Sequence, residues 1–222
     1  MRTALIIGAS RGIGREFVRQ LLSAGWKVFA TARDEASLQS LKEEGAHALK
    51  IDVAISESLA GLSWQLDGER LDLAVYVAGV FGSYDGATEP PATAMFDSTM
   101  HANVLGAMQA IPLVAPCIES VKGKFVFITS GMGSIGEAES SMGWVYRASK
   151  AALNMAVHSA RNDYPNMTLI TMNPGWVKTD MGGAQAPTSV AQSVSGMLSV
   201  IEKTKPSDSG SFQSYDGRKM GW

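Results

Sequence analysis

The chain has 222 residues, of which 45% are hydrophobic and 18% charged, and its formal net charge is −2. This is the composition of a globular protein with enough apolar material for a buried core, and it lacks the basic excess of a nucleic-acid-binding protein. The single cysteine, Cys117, excludes an internal disulfide framework, and we expect a cytoplasmic protein with neither a signal peptide nor a run of ~20 apolar residues that would span a membrane.

Short apolar runs alternate with longer helical patterns along the chain. The runs that predict buried strands are residues 3–7, 27–31, 47–51, 71–78, 124–129, 167–172 and 210–216. The helical patterns lie near residues 13–24, 35–44, 93–119, 143–164 and 188–203. This alternation predicts an α/β fold, a mainly parallel, doubly wound sheet of seven strands with helices on both faces. No repeat or linker divides the chain, so residues 1–222 are predicted to form one domain.

Two prolines interrupt the longest helical pattern, residues 93–119. Pro112 and Pro116 each lack the amide that a helix interior requires. We therefore expect this helix to kink or end there.

A glycine-rich turn, "GASRGIG", follows the first predicted strand and leads into the first helix. Such a turn exposes backbone N–H groups and the positive end of the helix, which suits a phosphate. Its spacing differs from G-x-G-x-x-G, and no Gly-Lys-Ser/Thr follows as it would in a P-loop. Its place between strand and helix nevertheless predicts a dinucleotide site. The residues assigned to it are Gly8, Ser10, Arg11, Gly12, Ile13 and Gly14.

The end of the second predicted strand indicates which dinucleotide is bound. An acidic residue there would bond the ribose 2′-hydroxyl of NAD, whereas an arginine accommodates the 2′-phosphate of NADP. Ala32 stands at that position, Arg33 follows it, and Arg11 adds a second cation nearby. We therefore expect NADP(H) to be preferred, with NAD possible. Asp34 is interpreted as the cap of the following helix.

The segment "WVYRASKAAL", residues 144–153, has a helical composition but places Tyr146 and Lys150 four residues apart, on one helical face. A surface helix whose lysine extends along apolar side chains would explain the pair without any function. The other motifs of the chain decide between these interpretations.

Taken in order, these motifs resemble those of the short-chain dehydrogenase/reductase family over almost the whole chain, especially its compact bacterial C-factor-like and carbonyl-reductase-like members. The resemblance implies an NAD(P)-binding Rossmann-like domain. It covers the glycine turn, the "DV" after the third strand, the "AG" after the fourth, and "NPGWVKT" at 173–179. Tyr76 and Val77 replace the two asparagines that the family has before Ala-Gly, which removes polar contacts that brace the central strands. The cofactor residues added to those of the turn are Arg33, Asp52, Val53, Ala78, Gly79, Tyr146, Lys150, Pro174, Gly175, Val177 and Thr179.

The resemblance also implies the catalytic residues Asn103, Ser130, Tyr146 and Lys150. Hydride transfer to a carbonyl leaves an alkoxide that must take a proton, and a tyrosine phenol can supply it. A lysine ammonium nearby favours the phenolate and lowers the pKa of the tyrosine. In this interpretation Lys150 also binds the nicotinamide ribose, Ser130 holds the substrate oxygen, and Asn103 positions a water. The implied reaction interconverts a small-molecule carbonyl and an alcohol.

Two serines compete for the substrate oxygen. Ser130, sixteen residues before Tyr146, ends the strand "KFVFITS", and ligands bind at the carboxyl ends of strands in such sheets. Ser134, twelve residues before Tyr146, is the alternative. The loop that contains it, "GMGSIGEAESSMG", is interpreted as a flexible flap over the substrate.

Two further expectations concern the surface and the partners. Residues 181–203 are interpreted as a small substrate loop or lid. The stretches "AALNMAVHSA" and "LGAMQAIPLVAPCI" carry almost no charge, which favours a homodimer or homotetramer that buries both. No metal site is expected, because the three histidines lack ligand spacing. A cofactor-binding sensor or regulatory protein with little turnover is the alternative function.

Overall fold

The computed structural model describes residues 1–222 and contains one seven-stranded sheet. Its strands are β1 (Thr3–Ile7), β2 (Lys27–Ala32), β3 (His47–Lys50), β4 (Leu73–Tyr76), β5 (Lys124–Ile128), β6 (Thr168–Asn173) and β7 (Phe212–Ser214). All neighbours are parallel, in the order β3-β2-β1-β4-β5-β6-β7. The strand order therefore reverses beside β1. This confirms the predicted doubly wound fold and places a crevice between β1 and β4, where such sheets bind ligands.

Helices cover both faces of the sheet. They are α1 (Gly12–Ser23), α2 (Glu35–Glu43), α3 (Ser56–Gln65), α4 (Thr93–Met100), α5 (Gly106–Glu119), α6 (Trp144–Ala160) and α7 (Val190–Lys203). Side chains alternate along each strand, so Leu5 and Ile7 of β1 face one core, with α3, α5 and α6. Ala4 and Ile6 face the other core, with α1, α2 and α7.

The helix α3 was not among the predicted elements. Of the residues within it, only Leu59 and Leu62 are buried, and the rest of "SESLAGLSWQ" is rich in small and polar side chains. A helix that rests on the sheet through so few residues carries too little apolar periodicity to stand out in the sequence. Its place in the fold depends on packing against α5.

The sequence predicted a kink or an end of the apolar helix at Pro112 and Pro116. The end is wrong, because the helix continues through both residues. The helix α5 runs from Gly106 through Pro112 and Pro116 to Glu119. Both prolines lie on its exposed face. There the carbonyls that they leave without a helical amide can bond to water, so the helix continues.

The irregularity lies earlier, at a π-helical turn over His101–Leu105 that joins α4 to α5. Together these elements make one helical stretch, Thr93–Glu119, that is long and apolar enough to cross a membrane by length and composition, with a mean hydropathy of 1.3 in its most apolar window. No such stretch was expected from the sequence. Half of that window is buried in the protein, where it packs on the sheet as a core helix.

Candidate active site

A cleft of about 510 Å³ opens at the carboxyl edge of the sheet, on both sides of β1. The predicted residues that line it are Gly8, Ser10, Arg11, Gly12, Ile13, Arg33, Asp52, Val53, Ala78, Gly79, Tyr146, Lys150, Pro174 and Thr179. The predicted residues that do not line it are Gly14, Asn103, Ser130, Gly175 and Val177. The fold thus gathers most of the predicted set from segments distant in sequence.

The glycine turn lies at the floor of this cleft. Gly8 has φ +92°, and a Cβ there would lie 2.7 Å from the backbone nitrogen of Ala78, so only glycine fits. The Gly8 amide donates to the Thr31 hydroxyl at 2.9 Å. The residue before α1, Arg11, makes no side-chain cap. The first amides of α1 are therefore left for a ligand, as a phosphate requires.

Three of the predicted residues outside the cleft support its walls from behind. A Cβ on Gly14 would lie 2.1 Å from the Gly8 carbonyl oxygen, so this glycine allows α1 to approach the turn. Gly175 has φ +80° and fits against the Tyr215 ring. Val177 is buried and pairs with Thr188 in an isolated bridge.

The two arginines predicted to hold the 2′-phosphate lie in different surroundings. Arg33 is exposed and takes part in none of the ion pairs of the structure. Arg11 pairs with Asp180 across the mouth of the cleft. Asp34 accepts the Ser37 amide at 2.8 Å, as its predicted capping role requires, and this bond lowers the pKa of Asp34. The free cation at the end of β2 is therefore Arg33.

Tyr146 and Lys150 lie one turn apart on α6, and both are buried. The Lys150 ammonium donates to the Ile128 carbonyl at 2.9 Å and lies 5.6 Å from the centre of the Tyr146 ring. The surface-lysine interpretation is excluded, because the ammonium points into the protein beneath the cleft.

Burial, rather than the lysine, controls the protonation of Tyr146. Burial raises the pKa of its phenol to about 12, while a hydrogen bond with Ser130 acts in the opposite direction. Burial also lowers the pKa of Lys150 to about 8. The net pKa of the tyrosine is therefore raised and not lowered as expected, because burial is the largest influence on it. The Lys150 ammonium is directed at the Ile128 carbonyl. The phenol therefore carries its proton at neutral pH and is ready to act as an acid.

The structure separates the two candidate serines. Ser134 is buried, and its hydroxyl donates to the Gly221 carbonyl at 2.8 Å. Ser130 is only partly buried, accepts the Met132 amide at 3.1 Å, and lies close enough to the Tyr146 phenol to lower its pKa. Of the two, Ser130 alone has its hydroxyl beside the phenol.

The loop interpreted as a flap is attached at several points. Besides the bond from Ser134, the Gly136 amide donates to the Trp222 carbonyl at 2.8 Å, and the Gly143 amide donates to the Asp85 carbonyl at 3.0 Å. Residues 137–142 between these bonds are exposed.

An aromatic wall adjoins the Tyr146 phenol. The Phe81 ring lies 4.8 Å from the Tyr146 ring and 4.5 Å from the Tyr84 ring, measured between centroids. A Cβ on Gly143 would lie 3.0 Å from the Phe81 ring, so this glycine leaves room for it. This wall could not be predicted from the sequence, because its aromatic residues follow the strand without any motif spacing.

Other cleft residues were also missed. They are Thr31, Ala32, Ile51, Ala54, Val77, Val80, Ala102, Ile128, Thr129, Lys178, Asp180 and Met181. Most of them are immediate neighbours of predicted residues at strand ends. The rule that ligands meet the carboxyl ends of such strands could have found them. No group of three or more His, Cys, Asp or Glu side chains is arranged to hold a metal ion.

The family model described as short chain dehydrogenase matches residues 2–189. The 1-hydroxy-2-glutathionyl-2-methyl-3-butene dehydrogenase of Rhodococcus sp. (strain AD45) is 30% identical over 239 residues, which cover 100% of both chains. The C-signal protein of Myxococcus xanthus is 38% identical over 127 residues, covering 56% of this chain and 76% of that protein.

Among solved structures, the NADPH-bound carbonyl reductase from chicken fatty liver superimposes with a TM-score of 0.90 and 28% identity. The match covers 100% of this chain and 99% of that one. Sequence and fold therefore point to the same family.

Proposed function

The chain belongs to the short-chain dehydrogenase/reductase family, and we propose that it is an NADP(H)-dependent carbonyl reductase whose proton donor is Tyr146. It is an oxidoreductase, as its family and its curated relatives indicate. The observation that carries the proposed chemistry is a buried, protonated phenol at the cleft, with Ser130 beside it and Lys150 one turn away.

The cleft fits a dinucleotide phosphate in three respects. Gly8 lets the backbone of the turn lie against Ala78, and α1 begins without a side-chain cap. Arg33 stands unpaired at the end of β2, where a 2′-phosphate belongs. NADP(H) is therefore the preferred cofactor, in agreement with the NADPH-bound carbonyl reductase structure. The remaining predicted cofactor residues are proposed to contact it from the same cleft.

The bound cofactor supplies the hydride, and the protein supplies the proton. The Ser130 hydroxyl is proposed to hold the carbonyl oxygen of the substrate next to the Tyr146 phenol, whose pKa it influences. The phenol then donates its proton to the alkoxide as it forms. Lys150, positively charged at neutral pH, stabilises the resulting phenolate from the same helical face. Asn103 is proposed to position a water that leads from Lys150 to solvent.

The surface beside the phenol favours an apolar carbonyl substrate. Phe81 and Tyr84 form the wall described above, next to the Tyr146 ring. Binding energy there comes from burial of apolar surface. A sensor without turnover is not favoured, because such a protein would have no need of a buried proton donor.

The predicted lid is proposed to consist of the first part of residues 181–203. Met181 lines the cleft and is 41% exposed. The indole N–H of Trp176 donates to the Gly182 carbonyl at 2.7 Å. From Val190 onward the segment is the helix α7, whose Met197 is fully buried in the core. Movement over the cleft is thus limited to the residues before α7.

We also propose that the protein forms a homodimer or homotetramer in the cytoplasm. Met108 on α5 is 50% exposed, and Met155 on α6 is 65% exposed. Leu105 at the end of the π turn is partly exposed as well. Exposed apolar side chains on neighbouring helices are typical of a surface that pairs with a second copy.

Consumption of NADPH or NADH by the purified protein, measured against aldehydes and ketones, tests the proposed reaction. We expect NADPH and apolar carbonyls to give the higher kcat/KM. The Tyr146→Phe variant should lose turnover and keep nearly the same NADPH affinity, measured by fluorescence titration. The matched control is Tyr164→Phe, a partly buried tyrosine at the edge of the core. Turnover by Tyr146→Phe near the wild-type rate would exclude Tyr146 as the proton donor.

A further inference from the structure

Tyr76 ends β4 and is fully buried. Its ring stacks on the Phe127 ring, with the centroids 5.9 Å apart. Burial raises the pKa of the phenol above its ordinary range, so it keeps its proton and acts as a donor. It donates to the Ala102 carbonyl at 3.0 Å. The site chemistry described above gives this hydroxyl no role.

The acceptor lies in the π turn between α4 and α5. In an α-helix the Gly106 amide would bond to the Ala102 carbonyl, four residues earlier. In this turn the Gly106 amide bonds to the His101 carbonyl instead, five residues earlier. The Ala102 carbonyl thereby loses its helical donor, and the Tyr76 hydroxyl takes that place.

The residue after this acceptor is Asn103, which is fully buried. Its Oδ1 accepts the Val80 amide at 2.8 Å, and its Nδ2 donates to the Val80 carbonyl at 2.8 Å and to the Ser149 hydroxyl at 2.9 Å. Asn103 therefore ties the π turn to the cleft wall and to α6, at the residue before Lys150. A Cβ on Gly79 would lie 2.9 Å from the Asn103 Oδ1 and 3.5 Å from the Lys150 Nζ. The Asn103 amide and the Lys150 ammonium therefore lie on either side of the space above Gly79.

Gly106 leaves the space that this arrangement needs. A Cβ there would lie 2.6 Å from the Tyr76 hydroxyl oxygen and 2.7 Å from the Val53 carbonyl oxygen. Any side chain at position 106 would clash with the Tyr76 hydroxyl, so the tyrosine can occupy this site only because residue 106 is glycine.

We propose that Tyr76 is a positioning residue: its hydrogen bond to the Ala102 carbonyl fixes the register of the π turn and so holds Asn103 against Val80 and beside Lys150. The expected effect on kcat rests on the proposed function. The expected effect on the order of the π turn rests on the geometry alone. Tyr76 replaces the asparagine of the family motif, and the hydrogen bond to the Ala102 carbonyl is the role that we assign to it.

The first test is amide hydrogen exchange on the protein without cofactor, which does not depend on turnover. The Tyr76→Phe variant removes the hydroxyl and keeps the ring stacked on Phe127. We expect faster exchange, by roughly ten-fold or more, at the Val80 amide and over residues 101–106. The Tyr164→Phe control should leave both unchanged. Unchanged exchange at these sites in Tyr76→Phe would overturn the proposal even if the carbonyl reductase activity is established.

The second test is the pH dependence of kcat. We expect kcat of Tyr76→Phe to fall roughly ten-fold with little change in the KM of the carbonyl. The alkaline limb of the kcat profile should move to higher pH. A loosened turn admits water to Lys150, and this raises the pKa that burial had lowered. Tyr146 faces Lys150 from its own helix. The other charged groups around the cleft are Arg11, Arg33, Asp52, Lys178 and Asp180.

A Gly106→Ala variant tests the same contact from the other side and serves as a second route if Tyr76→Phe does not fold. It should reproduce the faster exchange at Val80 and the shifted alkaline limb. A lowered melting temperature with wild-type exchange and an unmoved pH profile, in either variant, would show a merely structural role and overturn the proposal.

Discussion

Replacing Lys150 by methionine should stabilise the protein at neutral pH while abolishing its activity. The pKa of Lys150 is about 8 in the folded chain, against 10.5 for an ordinary lysine, and its cause is burial. At about 1.4 kcal/mol per pKa unit, keeping the buried ammonium charged costs about 3 kcal/mol at pH 7. Methionine removes this cost but leaves the Ile128 carbonyl without its donor, a loss of about 1 kcal/mol. We expect a net gain of about 2 kcal/mol.

The pH dependence provides the sharper test. Between pH 8 and 10.5 the unfolded wild-type chain binds more protons at this residue than the folded chain does. The free energy of unfolding of the wild type therefore rises with pH in this window, relative to the variant. The advantage of Lys150→Met should be fully present below about pH 8 and be gone by about pH 10.

Urea titrations of both proteins from pH 6.5 to 10 measure this difference. The matched control is Lys42→Met, an exposed lysine on α2, for which we expect a difference near zero at every pH. A difference between Lys150→Met and wild type that stays constant from pH 7 to 10 would refute the assignment of a buried, titrating ammonium.

Four further substitutions, one of them a control, test the cleft and the surface. Arg33→Ala should raise the KM of NADPH roughly ten-fold or more and hardly change that of NADH, because one charge-assisted contact to the 2′-phosphate is lost. Steady-state assays measure both constants, and equal activity of the native protein with NADH and NADPH would contradict the role of Arg33. Gly8→Ala should lower the free energy of unfolding in urea by about 2–4 kcal/mol, since its Cβ would meet the Ala78 backbone at 2.7 Å. Gly25→Ala, also at positive φ but with nothing within 4 Å, should cost about 1 kcal/mol, and equal losses would refute the steric argument. Ala152→Glu on α6 should convert an oligomer into a monomer in sedimentation velocity, and a wild type that sediments at 23.5 kDa would end the proposal of self-association.

The predictable parts of this molecule are those where one local pattern has one physical cause. Alternating apolar runs and helices specify a doubly wound sheet, and the glycine turn is recognisable because Gly8 must approach Ala78 with a positive φ. The pair Tyr146 and Lys150 was found because one helical turn brings the two side chains onto one face.

The features that could not be predicted depend on contacts between residues distant in sequence. Whether Pro112 and Pro116 break a helix depends on which face of it meets solvent. The directions of the two pKa changes depend on burial and on the Ile128 carbonyl, neither of which is written in the spacing of α6. Ser134 could be separated from Ser130 only through its bond to Gly221, a residue 87 positions away.

The position of β1 has a consequence for synthesis on the ribosome. Its neighbours in the sheet are β2 and β4, and the latter begins only at Leu73. Until that segment emerges, the nascent sheet exposes the backbone donors and acceptors of β1 on one side, within the apolar run "TALII". An open apolar edge of this kind recruits other strands. Slow translation before residue 73 would prolong that exposure and so raise the chance of aggregation during synthesis.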